Sequence, residues 1–140
     1  MADVLPIGGP MSRRLAAVAL VVRDYDEALA YYCGVLGFDL LEDSELGGGK
    51  RWVLVAPSKQ VGSGLLLAQA NGPDQQARIG DQTGGRVFLF LHTDDFDADH
   101  ARYLEAGVTF IEEPRHEAYG TVAVFEDLYG NRWDMIQPTT

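Results

Sequence analysis

The run Leu15 to Val22 (LAAVALVV) is apolar throughout and stops at Arg23 and Asp24. It is too short for a stable helix and rich in β-branched residues, so it predicts a buried strand. Asp24 then predicts a helix start. Its carboxylate is placed to accept from the amide of Glu27, whose side chain reaches back in a capping box of D-x-x-E form. Ala28, Leu29, Tyr32, Val35 and Leu36 recur at helical spacing and give one apolar stripe, which Gly34 and Gly37 end. Beyond it, Phe38 to Leu41, Arg51 to Ala56 and Leu65 to Gln69 predict three antiparallel strands. Gly47 to Gly49 and the stretch Pro57 to Gly64 separate them.

The same order then repeats. Arg86 to Thr93 (RVFLFLHT) predicts a second buried strand, Asp95 or Asp94 caps a helix running through Glu105, and Gly107 ends it before Val108 to Ile111. Gly37 and Gly107 match at an offset of about 70, Asp24 and Asp95 at about 71. Two strands follow, Gly120 to Glu126 and Arg132 to Gln137, joined by a turn at Tyr129 to Asn131. Each half is a βαβββ unit that cannot bury its helix stripe and its sheet alone. The expectation is an α+β domain in which two modules, 13–80 and 81–140, form one curved mixed sheet with outer helices, its inner face a cleft. Residues 1–12, with Pro6, Gly8, Gly9 and Pro10 and no periodicity, read as a flexible arm.

Composition narrows the function classes. The chain has 140 residues, enough for one domain, and 46% hydrophobic residues suit a packed core. A net charge of −10 repels phosphate backbones and anionic lipid, which argues against nucleic acid and membrane surfaces as partners and is compatible with a cationic ligand. No apolar run approaches the roughly 20 residues of a membrane span. The single Cys33 excludes an internal disulfide and points to a reducing, cytoplasmic setting. Walker, nucleophile-elbow and Rossmann glycine patterns are missing, and GGGKR at 47–51 lies between strands without a helix N-terminus.

Three stretches carry a family resemblance. Val18 to Phe38, with Tyr32, Leu36, Gly37 and Phe38, resembles the first strand and helix of the vicinal oxygen chelate superfamily, which includes glyoxalase, bleomycin-resistance proteins and extradiol dioxygenases. Phe88 to Val108 resembles the second copy, and Tyr119 and Gly120 with Phe125 to Met135 the closing hairpin. The resemblance implies a cleft that holds a small organic ligand, commonly in a homodimer. In the family's metal enzymes a divalent ion sits on His, Gln or Glu ligands at strand positions that fall here on Ala17, Phe88 (or Val87), Leu66 and Asp134. Three of these side chains offer an ion no lone pair. The expectation is therefore ligand binding without a metal or other cofactor. The alternative is a lyase, isomerase or dioxygenase whose displaced ion is held by His92 and Asp134 with His116 or Glu117.

Several side chains are candidates for contact with a ligand. Asp134 interrupts the apolar final strand and is either an anchor or general base, or a structural partner of Arg51, Arg86 or Arg132. His92 is the other candidate acid or base, imidazole being the side chain most often used for proton transfer. Period-2 alternation puts His92 on one face with Phe88 and Phe90. Trp52 and Arg51 bring an indole and a cation to the start of an inner strand, where a planar ligand can stack. Tyr119 closes the polar loop 114–120. Whether the chain catalyses a reaction is left open by these residues.

Overall fold

The computed structural model describes residues 12–59 and 62–140. The predicted arm, 1–12, lies outside the described residues except for Ser12. The first module runs β1 (Ala17–Val22), α1 (Tyr25–Leu29), β2 (Asp39–Gly47), β3 (Lys50–Ala56) and β4 (Gly64–Gln69). A short α2 (Pro73–Gln76) in the connecting segment precedes the second module. That module comprises β5 (Val87–His92), α3 (Phe96–Glu105), β6 (Thr109–Phe110), β7 (Arg115–Glu117), β8 (Gly120–Glu126) and β9 (Arg132–Pro138).

Local chemistry accounts for most of these elements. Asp24 Oδ2 accepts from the Glu27 amide at 2.8 Å, and Asp95, not Asp94, caps α3 by accepting from Ala98 N at 3.2 Å. The capping box is only half made. Glu27 turns its carboxylate to the Arg23 guanidinium, at 3.1 and 2.7 Å, and to the Tyr129 hydroxyl at 2.8 Å, because a cation is the stronger partner. After Leu29 the helix widens into a π-helical segment, Ala30–Val35, in which the Leu36 amide reaches back five residues to Tyr31 O. β2 is longer than the predicted Phe38 to Leu41. Its acidic half pairs with β3 through Glu45↔Arg51 and Ser44↔Trp52, a case of tertiary pairing overriding the low strand preference of Asp and Glu. Part of the predicted loop 114–120 is likewise a strand, β7, held along β8 by Arg115↔Val122.

The α+β class and the two modules stand, whereas the single continuous sheet does not. Hydrogen bonds form a four-stranded sheet, β1-β4-β3-β2, and a five-stranded sheet, β5-β9-β8-β6, with β7 on β8. β1 and β5 do not pair with each other. At the outer edge of β1, the Gln82 side-chain amide accepts from Val21 N and donates to Val21 O, at 3.4 and 3.3 Å, standing where a neighbouring strand would. One core joins both modules. Leu20, Val53, Val55 and Leu67 of the first sheet, Tyr25, Ala28 and Tyr32 of the first helical stretch, Phe96 and Tyr103 of α3, and Phe125, Trp133 and Met135 of the second sheet form a single buried cluster. The helical segments thus contribute to a core that both sheets share, and the opposite faces of the two sheets turn away from it.

Candidate functional site

Strand alternation decides what each open face carries. On the first sheet Val53, Val55, Leu65 and Leu67 point into the core, which leaves Trp52, Leu54 and Leu66 on the other side, with Leu54↔Leu66 and Ala19↔Leu66 in register. Trp52 is 41% exposed. It lines a cavity of about 690 Å³ together with Leu46, Lys50, Leu66, Asn71 and Gln75. Arg51 is at the rim of this cavity, but its guanidinium is engaged elsewhere. It bonds both Asp43 carboxylate oxygens at 3.1 and 2.8 Å and Asp26 at 3.0 Å, and lies 5.0 Å from the Tyr25 ring. This network favours the cation, so the Arg51 pKa is raised, first by the Asp43 bond.

On the second sheet Trp133 and Met135 point into the core, so Asp134 and Ile136 face outward. Asp134 stands between Phe90 of β5 and Val124 of β8 in register, and Ile136 between His92 and Val122. Phe90 is 63% exposed. Phe88 does not join this row. A register shift between Val87 and Leu89 breaks the simple alternation, and Phe88 packs against the core. His92 is exposed beside Ile136, and Tyr119 is exposed in the turn between β7 and β8. The predicted site residues therefore fall into two groups, one on each sheet, and the structure does not gather them into one intrachain cleft.

Asp134 is the electrostatically unusual member. Its Oδ1 is buried and has no hydrogen-bond partner among the described residues. The candidate structural partners are committed or distant, since Arg51 serves Asp43 and Asp26, Arg132 lies 3.7 Å from Glu126, and Arg86 makes no ion pair among the described residues. Desolvation pushes the Asp134 pKa up, Arg115 pulls it down and Glu112 raises it again. Arg115 is itself held by Glu112, at 3.1 and 3.2 Å, and by Glu117 at 2.5 Å, while Glu112 also accepts from Val124 N at 3.0 Å. Glu112 carried no signal in the sequence, because only the pairing of β6 and β7 along β8 brings it near Asp134.

The positions where the resemblance implies the family's metal ligands can be read directly. Ala17, Leu66 and Phe88 carry no donor atom, and among the described residues no three His, Cys, Asp or Glu side chains are grouped to hold a metal. His116 of the displaced set is 3.3 Å from the Thr121 hydroxyl through Nδ1.

Comparison with known proteins places this arrangement. The sequence profile of the Glyoxalase/Bleomycin resistance protein/Dioxygenase superfamily matches residues 14–135. An uncharacterized protein of Shewanella frigidimarina is 52% identical over 128 residues, covering 91% of this chain and 95% of its own. The crystal structure of UcmS2 superposes with a TM-score of 0.77 at 32% identity, covering 90% of this chain and 98% of that one. TnmS3, described as an antibiotic binding protein from Streptomyces sp. CB03234, superposes with a TM-score of 0.73 at 32% identity, covering 94% and 100%. Both structures share the fold over nearly their whole length.

Proposed function

This chain belongs to the glyoxalase/bleomycin resistance protein/dioxygenase superfamily, and we propose that within it the chain acts as a metal-free binding protein for a small aromatic molecule. Asp134 carries the reading. A carboxylate with a buried, unpartnered oxygen on a largely apolar strand face is costly unless a ligand supplies a donor or a cation. Phe90 beside it and Trp52 on the other sheet offer flat surfaces for stacking. The net charge of −10 favours a ligand with a basic nitrogen. Similarity to a protein described as antibiotic binding makes aromatic antibiotics the first class to try.

The two groups of residues meet in a homodimer. Two copies related by a two-fold axis can set the Trp52 face of one against the Phe90 and Asp134 face of the other, closing two equal clefts. What supports this pairing is that each sheet leaves a large aromatic side chain exposed on its outward face, Trp52 on the first and Phe90 on the second, and that the helix-facing sides are already spent on the common core.

A fluorescence titration of the purified chain against aromatic antibiotics with and without a basic nitrogen tests the proposal. Saturable binding that prefers the basic members is expected, with Asp134→Asn and Trp52→Ala each weakening it about tenfold, or ~1.4 kcal/mol. Absence of saturable binding across the panel, or affinities indifferent to both substitutions, overturns it.

A further inference from the structure

The cavity beside Trp52 differs in sign from the rest of the molecule. The chain carries 21 acidic and 11 basic side chains. Yet the walls of this space of about 690 Å³ include two basic residues, Lys50 and Arg51, and no Asp or Glu. Arg51 is spent on Asp43 and Asp26, whereas Lys50 makes no ion pair among the described residues. Strand alternation along β3 puts Lys50 on the same side as Trp52 and opposite Arg51. Two carboxylates of β2 come near in register without lining the cavity. Glu45 is in register with Arg51 and shares its side of the sheet, and Glu42, in register with Leu54, accepts from the Ser44 hydroxyl at 2.9 Å.

The neutral groups of the wall add donors more than acceptors. Gln69 Oε1 accepts from Tyr25 N at 3.2 Å, and Gln75 Oε1 accepts from Asn71 N at 2.8 Å. These bonds determine both amide orientations, since a flipped side chain would set its amino group against a backbone N–H. Each oxygen is thereby engaged and each Nε2 is left to donate. Gln69, Gln75 and Lys50 are all exposed side chains lining the cavity, so a molecule lodged there can reach them.

We propose that the molecule stacked on Trp52 carries a carboxylate on its aromatic rings, received by the Lys50 ammonium with the Gln69 and Gln75 amides as further donors. Resting on the reading of the Trp52 face as a ligand face, this narrows the occupant: a basic nitrogen for Asp134 and an acid for Lys50 make the ligand amphoteric. The net charge of −10 does not prevent it, because at ~0.15 M salt exposed charges more than about 8 Å away are largely screened and the local sign decides. The volume lies within the roughly 300–1,000 Å³ of sites for drug-sized molecules.

An NMR titration of the isotope-labelled full chain with 2-naphthoate and 2-naphthamide tests the proposal. Saturable amide shifts centred on 46–52 and 66–75 are expected with naphthoate, and about tenfold weaker binding with naphthamide, which keeps the rings and loses the charge. Lys50→Gln is expected to remove the difference between the two probes. Lys59→Gln, which changes the net charge equally at an exposed lysine outside the cavity, is expected to preserve it. No saturable shift with naphthoate, equal affinity for naphthamide, a preference that survives Lys50→Gln, or one lost equally in Lys59→Gln overturns the proposal. The function proposed above is read separately, from basic aromatics and Asp134→Asn. Basic aromatics that bind where naphthoate does not remove this inference alone, and naphthoate binding through Lys50 without any basic aromatic leaves it standing by itself.

Discussion

The Tyr32 hydroxyl donates to Asp127 Oδ2 at 2.6 Å across 95 residues of sequence, inside the core. The same carboxylate accepts from Trp133 Nε1 at 3.0 Å, Asn131 Nδ2 at 3.1 Å, and the amides of Tyr129 and Asn131 at 3.0 Å each. A helical side chain of one module is thereby fastened to the closing hairpin of the other. Tyr103 mirrors the bond in the opposite direction, donating to Leu36 O at 2.7 Å.

Loss of this link is expected to cost stability more than its length suggests. Tyr32→Phe leaves one acceptor of a buried carboxylate short of a donor, a penalty of about 1–3 kcal/mol, whereas Asp127→Ala strands several donors at once and costs more. Urea unfolding followed by far-ultraviolet circular dichroism gives both values. Equal, near-zero losses would show that the modules are held by apolar packing alone.

Asp134 sets a pH dependence of stability in the direction opposite to that of a salt-bridged carboxylate. Its pKa is raised in the folded state, so the folded chain holds the proton more tightly than the unfolded chain does. Its contribution is neutral below the ordinary carboxylate range and becomes unfavourable as pH rises through the window above it. Asp134→Asn should therefore melt at a higher temperature than the parent chain at pH 7, with the difference vanishing toward pH 3. A melting series between those limits checks the sign.

Charging the open face of the second sheet should separate the proposed dimer without unfolding the chain. Phe90 is exposed in the single chain, so Phe90→Asp is expected to leave the melting temperature of the monomer within the small change typical of surface positions. Sedimentation velocity should then report a monomer where the parent chain is a dimer. A parent chain that already sediments as a monomer at micromolar concentration rejects the pairing.

Gly80→Ala is expected to destabilise by at least ~1 kcal/mol, because the new methyl combines a left-handed backbone angle with a clash against the Tyr129 carbonyl. Gly34→Ala, where nothing lies within 4 Å and the backbone angle is ordinary, serves as the control and should be neutral or slightly stabilising. Thermal melts of the two variants side by side distinguish local strain from a general intolerance of substitution.

By itself the sequence determined the two βαβββ modules, the Asp24 cap and the start of the second helix at Asp94 or Asp95, because capping and period-2 alternation are short-range properties that neighbouring residues settle among themselves, while the choice of Asp95 was left to the structure. It misjudged Phe88, since a register shift is a property of two paired strands and is invisible in one. The tertiary structure alone decided that the helix-facing sides of both modules share one core, that Arg51 is consumed by Asp43 and Asp26, and that Glu112 and Arg115 come up beside Asp134. Those facts depend on which of two apolar surfaces each module buries, and that choice is made by contacts such as Tyr32 to Asp127, between residues that nothing in their local sequence connects.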